Sequence, residues 1–80
     1  MSVEVPDWMM QIDLPWATRM VWCVAKDLPP DRRKVGVVAK KIRVSRSAVR
    51  RGLRLLAQYG LMRVDVDGRG QIVFFEAVDP

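Results

Sequence analysis

The stretch VAKKIRVSRSAVRRGLRLLAQYGL, residues 38–61, decides how this chain is to be read. It holds two apolar stripes at helical spacing with a break between them. Ser45 has the chemistry of a helix start, because its hydroxyl can accept from backbone N–H groups of the first turn. From there Ala48, Val49, Leu53, Leu56 and Ala57 recur on one face until Gly60. Glycine suits the left-handed position that closes a helix, so a helix is predicted over 45–59. Upstream, Val35, Val38, Ala39 and Ile42 form the inward face of a shorter predicted helix over 34–42, with Lys40 and Lys41 outward. Gly36 inside it costs roughly 1 kcal/mol of propensity against alanine, so packing has to hold this helix.

Beyond Gly60 the period changes from helical to alternating. Residues 61–66 and 71–77 are rich in β-branched and aromatic side chains, and Asp67-Gly68-Arg69-Gly70 between them has turn chemistry, which predicts a β-hairpin. Alternation places Met62, Val64 and Val66 on one side of the first strand. In the second it sets Ile72 and Phe74 against Val73 and Phe75. With both faces of that strand apolar, one is expected under the helices and the other under a neighbour or the N-terminal arm.

Toward the N-terminus, Asp13 followed by Pro15 reads as a cap and first turn, opening a helix from Leu14 to about Lys26. Leu14, Ala17, Val21, Val24 and Leu28 form its stripe, while Trp16, Met20, Trp22 and Cys23 lie off it. Leu28-Pro29-Pro30-Asp31 ends it, since consecutive prolines cannot continue a helix. Residues 1–12 show no sustained period and are expected to form an irregular or strand-like arm. The expected class is therefore α+β: three helices followed by a two-stranded hairpin, with an arm over 1–12 and one domain over 13–80.

Charge is distributed very unevenly along this order. Residues 32–63 carry eleven of the fourteen basic side chains and no acidic one, whereas residues 1–31 carry two basic and five acidic, and residues 64–80 one and four. Such self-repulsion in the middle of a small domain points to an extended polyanion as partner. If Val49, Leu53 and Leu56 point inward, Arg46, Ser47, Arg50, Arg51 and Arg54 occupy the outer face. A major groove admits one helix, and an arginine fork can bond guanine O6 and N7 together. Helices that enter a groove lead with their N-terminal end. Arg46, Ser47 and Arg50 are therefore the expected base readers, and Arg51 and Arg54 the expected phosphate contacts. The ordinary alternative is a solvated arginine face, against which the lack of glutamate at i+4 weighs.

Around this helix, Lys40, Lys41 and Arg43 are expected at the DNA backbone, and Ser45 acts as cap with its hydroxyl in reach of a phosphate. Arg32, Arg33 and Lys34 are candidates for a phosphate at the start of the second helix. Arg69 is either a loose turn residue or a minor-groove contact at the hairpin tip.

Three helices and a hairpin, with a tight turn before the third helix, follow the order of a winged helix-turn-helix. The residues from V-A-K-K-I-R-V-S-R-S-A-V-R-R-G-L-R-L-L-A-Q-Y-G-L to D-G-R-G-Q-I-V resemble the N-terminal DNA-binding domain of GntR-type bacterial regulators. That family's pattern is an L-A pair, a V-S turn, an S-R-x-T-V-R-x-A-L-x-x-L helix, a G-L and a G-x-G wing. The likeness covers nearly half of the chain directly and about three quarters with the first helix. It implies that Arg46 and Arg50 contact DNA. Arg43 departs from it, standing where glycine or asparagine is usual, as does Gly52 in place of alanine. Asp65 and Asp67 put negative charge on the wing.

Other classes fit poorly. With no histidine and a single cysteine, Cys23, the chain has neither a familiar zinc constellation nor an intramolecular disulfide, and no catalytic residues, cofactor or metal are expected. The N-terminus lacks signal-peptide features and no run reaches the ~18 apolar residues of a membrane span, so the expected location is the cytoplasm. Trp8, Met9, Trp16, Met20 and Trp22 exceed the needs of a small core and suggest a dimer or partner surface, the alternative being that the arm folds back and fills the core. A lone winged helix reads one half-site, which makes a homodimer the expected state. The form suits a small bacterial, plasmid or phage transcription regulator without a small-molecule effector. The competing readings are a winged-helix protein-interaction adaptor and a non-specific nucleic-acid binder.

Overall fold

The computed structural model describes residues 4–80. Four α-helices precede an antiparallel two-stranded sheet: α1 (Asp7–Met10), α2 (Trp16–Asp27), α3 (Val35–Ile42), α4 (Arg46–Gln58), β1 (Met62–Val66) and β2 (Ile72–Ala77), with a 3-10 turn at Pro30–Arg32. The chain is thus α+β as expected, with one more helix than expected.

That extra helix corrects the reading of the N-terminal segment. Residues 7–10 form a single turn started at Pro6, whose carbonyl accepts from the N–H groups of Met9 (3.0 Å) and Met10 (3.2 Å). The turn delivers Met9 into the core, fully buried. Residues 4–12 are therefore part of the packed body: Val5, Trp8 and Ile12 lie against the core, and Trp8 meets Trp22 edge-on. Met9 and Trp22, expected on a partner surface, are both interior, Trp22 being 1 % exposed. Burial of an aromatic and a thioether supplies apolar area that a chain of this size needs.

The start of α2 also differs from expectation. Asp13 does not cap it; Pro15, extended at ψ 147°, is the residue before the first helical one, with no side-chain cap. Arg19 instead secures the approach, its Nη2 donating to the Ile12 carbonyl at 2.7 Å. Leu14, Val21, Val24 and Leu28 are buried as the stripe requires, and Thr18, Trp22, Cys23 and Ala25 are buried beside them. An interior helix of this kind is apolar around more than one face. No helix of the described residues is long and apolar enough to cross a membrane.

The helix α4 crosses α2 closely. A Cβ built on Gly52 would lie 3.3 Å from Val21 Cγ2 and 3.5 Å from the Thr18 backbone, so the alanine usual at this position would press on α2. Val49, Leu53 and Leu56 are buried, whereas Ala57, expected inward, is exposed. Gly60 takes φ +72° after α4, and Leu61 N–H returns to the Leu56 carbonyl at 2.9 Å.

In the hairpin, Met62 faces Ala77 and Val64 faces Phe75, with a register shift between Asp65 and Val66 that pairs Val66 with Ile72. The shift breaks simple alternation. Ile72 joins Phe75 toward the core, not Phe74 as alternation predicts, and Val73 is left 64 % exposed. The outer face of β2 stays largely open, Val73 64 % and Phe74 37 % exposed with the Arg63 guanidinium 6.0 Å from the Phe74 ring. Of the two covers expected there, a neighbour or the arm, the arm packs instead against the core. The Trp22 indole N–H donates to the Val78 carbonyl at 3.3 Å, and Val78 N–H donates to Leu61 at 2.9 Å, so the segment after β2 is fastened to α2.

Candidate nucleic-acid interface

Only three residues, Arg43, Val44 and Ser45, separate α3 from α4. Arg43 ends α3 in the left-handed region at φ 57°, ψ 47°, its N–H donating to the Ala39 carbonyl. Val44 N–H donates to the same carbonyl at 3.1 Å. This is a glycine-type C-cap made by an arginine, a conformation L-residues enter at a cost. Ser45 then caps α4, its Oγ accepting from Ala48 N–H at 3.1 Å. The turn fixes where α4 begins and hence which side chains lead it.

Arg46, Ser47, Arg50, Arg51 and Arg54 are all exposed. Ser47, Arg51 and Arg54 lie on the side of α4 away from the buried Val49, Leu53 and Leu56, with Arg50 at its edge. Arg46, three residues before Val49 and seven before Leu53, instead heads the buried stripe itself and is open only because it starts the helix. Lys40, Lys41 and Arg43 are exposed as well. The two ion pairs among the described residues lie elsewhere, Lys26–Asp79 at 2.6 Å and Arg63–Glu76 at 3.8 Å. Of the basic block, then, Arg63 is occupied across the hairpin. Arg33 is also occupied, its Nε donating to the Leu28 carbonyl at 3.1 Å. The remaining cations of α3, the turn and α4 have no acidic partner among the described residues. Their positive charge is left for solvent or a ligand.

Arg46 is held in a way the sequence did not disclose. Its guanidinium lies along the first turn of α3, where a Cβ on Gly36 would come within 3.0 Å of Nη2 and 3.3 Å of Cζ and Nε. Lys34, Lys40, Val44 and Arg46 border an open depression of about 620 Å³ over Gly36. A second hollow, about 310 Å³, lies between the end of α2 and α3, walled by Met20, Leu28 and Ile42 and rimmed by Asp27, Arg32 and Lys41.

At the hairpin tip, the Asp67 carboxylate accepts from the N–H groups of Arg69 and Gln71, both at 2.9 Å. Its negative charge closes the turn, as aspartate commonly does, and Arg69 stands exposed above it. The aromatic and methionine residues expected as a partner surface divide: Trp16 is 61 % exposed, Trp8 and Met20 are half-buried, and Met9 and Trp22 are core. Sequence reasoning missed the packing roles of Gly36 and Gly52. The available signal was a glycine inside each predicted helix, which usually marks a close approach.

Comparison with protein-family models, curated proteins and solved structures returned no match.

Proposed function

We propose that this chain is a winged helix-turn-helix that binds double-stranded DNA in a sequence-dependent way, with α4 entering the major groove and the Asp67–Gly70 turn near the minor groove. The observation that carries this reading is the open side of α4: Ser47, Arg50, Arg51 and Arg54 are exposed together, Arg46 is exposed at the helix start, and none of the four arginines has an acidic partner among the described residues. A face that served solubility alone would mix signs. Ser47 and Arg50 sit near the leading end of α4, where base edges are met. Arg51, Arg54, Lys40, Lys41 and Arg43 flank them as backbone contacts, with Arg69 at the wing. The role is that of a small transcription regulator, acting as a homodimer on paired half-sites.

Fluorescence anisotropy with duplex DNA across a salt series tests the reading. The logarithm of the association constant falls with the logarithm of salt with a slope of about −4 to −6, for roughly five to seven phosphates at ~0.9 each. Absence of salt-dependent duplex binding below about 0.1 M sinks it and leaves the adaptor. That second reading has one observation in its favour: Trp16, Val73 and Phe74 are apolar and open to solvent, as an apolar partner requires.

A further inference from the structure

We propose that the depression over Gly36 is a seat for a phosphate group, and that Arg46 serves there as a clamp on the DNA backbone instead of reading a base. The clamp assignment rests on the DNA-binding reading above; the seat does not.

Gly36 has an ordinary negative φ in α3 and makes no turn, so conformational need does not account for it. Its neighbour does. The guanidinium of Arg46 occupies the space a side chain at 36 would take, with three of its atoms 3.0–3.3 Å from the position of a Cβ. Bonds from Cα to Cβ tilt toward the N-terminus of a helix. Arg46, the first residue of α4, therefore lays its head back onto α3, while Ser47 and Arg50 stay on the exposed face.

Around the same depression stand Lys34 and Lys40. Three cations gathered at one hollow with no carboxylate repel one another, and an anion relieves that repulsion. A planar guanidinium presents two parallel N–H donors, the geometry of two phosphate oxygens, and lysine supplies point charge beside it. The glycine floor lets the anion and the guanidinium approach α3 together. Base reading then falls to Ser47 and Arg50.

The seat is tested by titrating the 80-residue chain with inorganic phosphate while following nitrogen-15 resonances. The Gly36 amide and Arg46 Nε shift together along one saturating curve and Arg69 Nε, at the hairpin tip, moves less. In Gly36→Ala the Arg46 response is lost. That variant folds, because the atoms a methyl group displaces are the far end of a flexible side chain, and its Tm is no lower than that of the parent. A response at Arg46 no larger than at Arg69, or one unchanged in Gly36→Ala, overturns the seat.

The clamp is tested with a duplex selected from a random pool and a random duplex of equal length. Arg46→Ala and Gly36→Ala each weaken both duplexes by the same factor and make the salt slope shallower by about 0.9. A fall of about fivefold or more in the preference for the selected duplex on Arg46→Ala marks base reading and overturns the clamp. If the parent chain binds no duplex, DNA is not the source of the phosphate and the clamp falls with the regulator reading. The titration then decides the seat alone.

Discussion

Trp8 meets Trp22 edge to face, ring centroids 5.0 Å apart and planes at 87°. This contact joins the N-terminal turn to the centre of α2, and Lys26 Nζ lies 4.9 Å from the same Trp22 ring on its way to Asp79. Trp22 thus binds both ends of the described chain to one helix. Trp22→Ala should cost about 3–5 kcal/mol in urea unfolding, a large part of what a domain of this size possesses. Trp16→Ala, at a site 61 % exposed, should change stability by no more than about 0.5 kcal/mol. Similar losses for the two would contradict the division between core and surface tryptophans.

Ser45→Ala removes the acceptor for Ala48 N–H and should lower stability by about 1 kcal/mol, whereas Ser45→Asp keeps a capping oxygen and most of that stability. Chemical denaturation of the two variants checks the contrast.

Arg43 pays for its left-handed conformation. Arg43→Asn, a residue that enters this region more readily, should stabilise the fold by about 0.5–1 kcal/mol. If Arg43 also contacts the DNA backbone, the same variant binds selected and random duplexes more weakly by equal factors. A more stable variant with unchanged affinity would remove Arg43 from the interface.

Arg50→Ala should cost about 1–3 kcal/mol on a selected duplex and relax sequence preference, while Lys41→Ala weakens selected and random DNA alike. Competition binding measured at one fixed salt concentration separates the two patterns.

Burial pushes the Cys23 thiol above its ordinary pKa, and the negative charge of Asp27 adds to the effect while Lys26 opposes it. In the unfolded chain the thiol ionises near pH ~8.5. Its contribution to stability is therefore intact below that pH and is lost as pH rises through the higher folded value. Urea midpoints at pH 7 and pH ~9.5 should fall further for the parent than for Cys23→Ala. Equal falls would show that the thiol is not coupled to folding.

Much of the architecture was legible because its signals are local. Ser45 and Gly60 bracket α4 by capping chemistry alone, and Asp67 to Gly70 make their turn from their own backbone and one carboxylate. The N-terminal turn was not legible: four residues after a proline give no period to detect, and only burial in the assembled core rewards Met9 for being there. The same holds for Asp13, a good cap by composition that loses its place because Pro15 is extended. The register shift in the hairpin is likewise a property of the pair of strands. In the candidate site, exposure of Arg51 and Arg54 follows from the stripe on the opposite side of α4, whereas that of Arg46 follows from its place at the helix start. The contact of Arg46 with Gly36 depends on how two helices meet, which no spacing within either one reveals.

The arginines and lysines of α3 and α4 have no acidic partners among the described residues, so few contacts are lost when one of them is exchanged. Substitutions on this face change charge and hydrogen-bonding pattern while the packing of Val49, Leu53 and Leu56 beneath stays intact. On the DNA-binding reading proposed above, target preference and foldedness are then separable quantities: rewriting a handful of side chains on this face would shift the target without passing through an unstable intermediate.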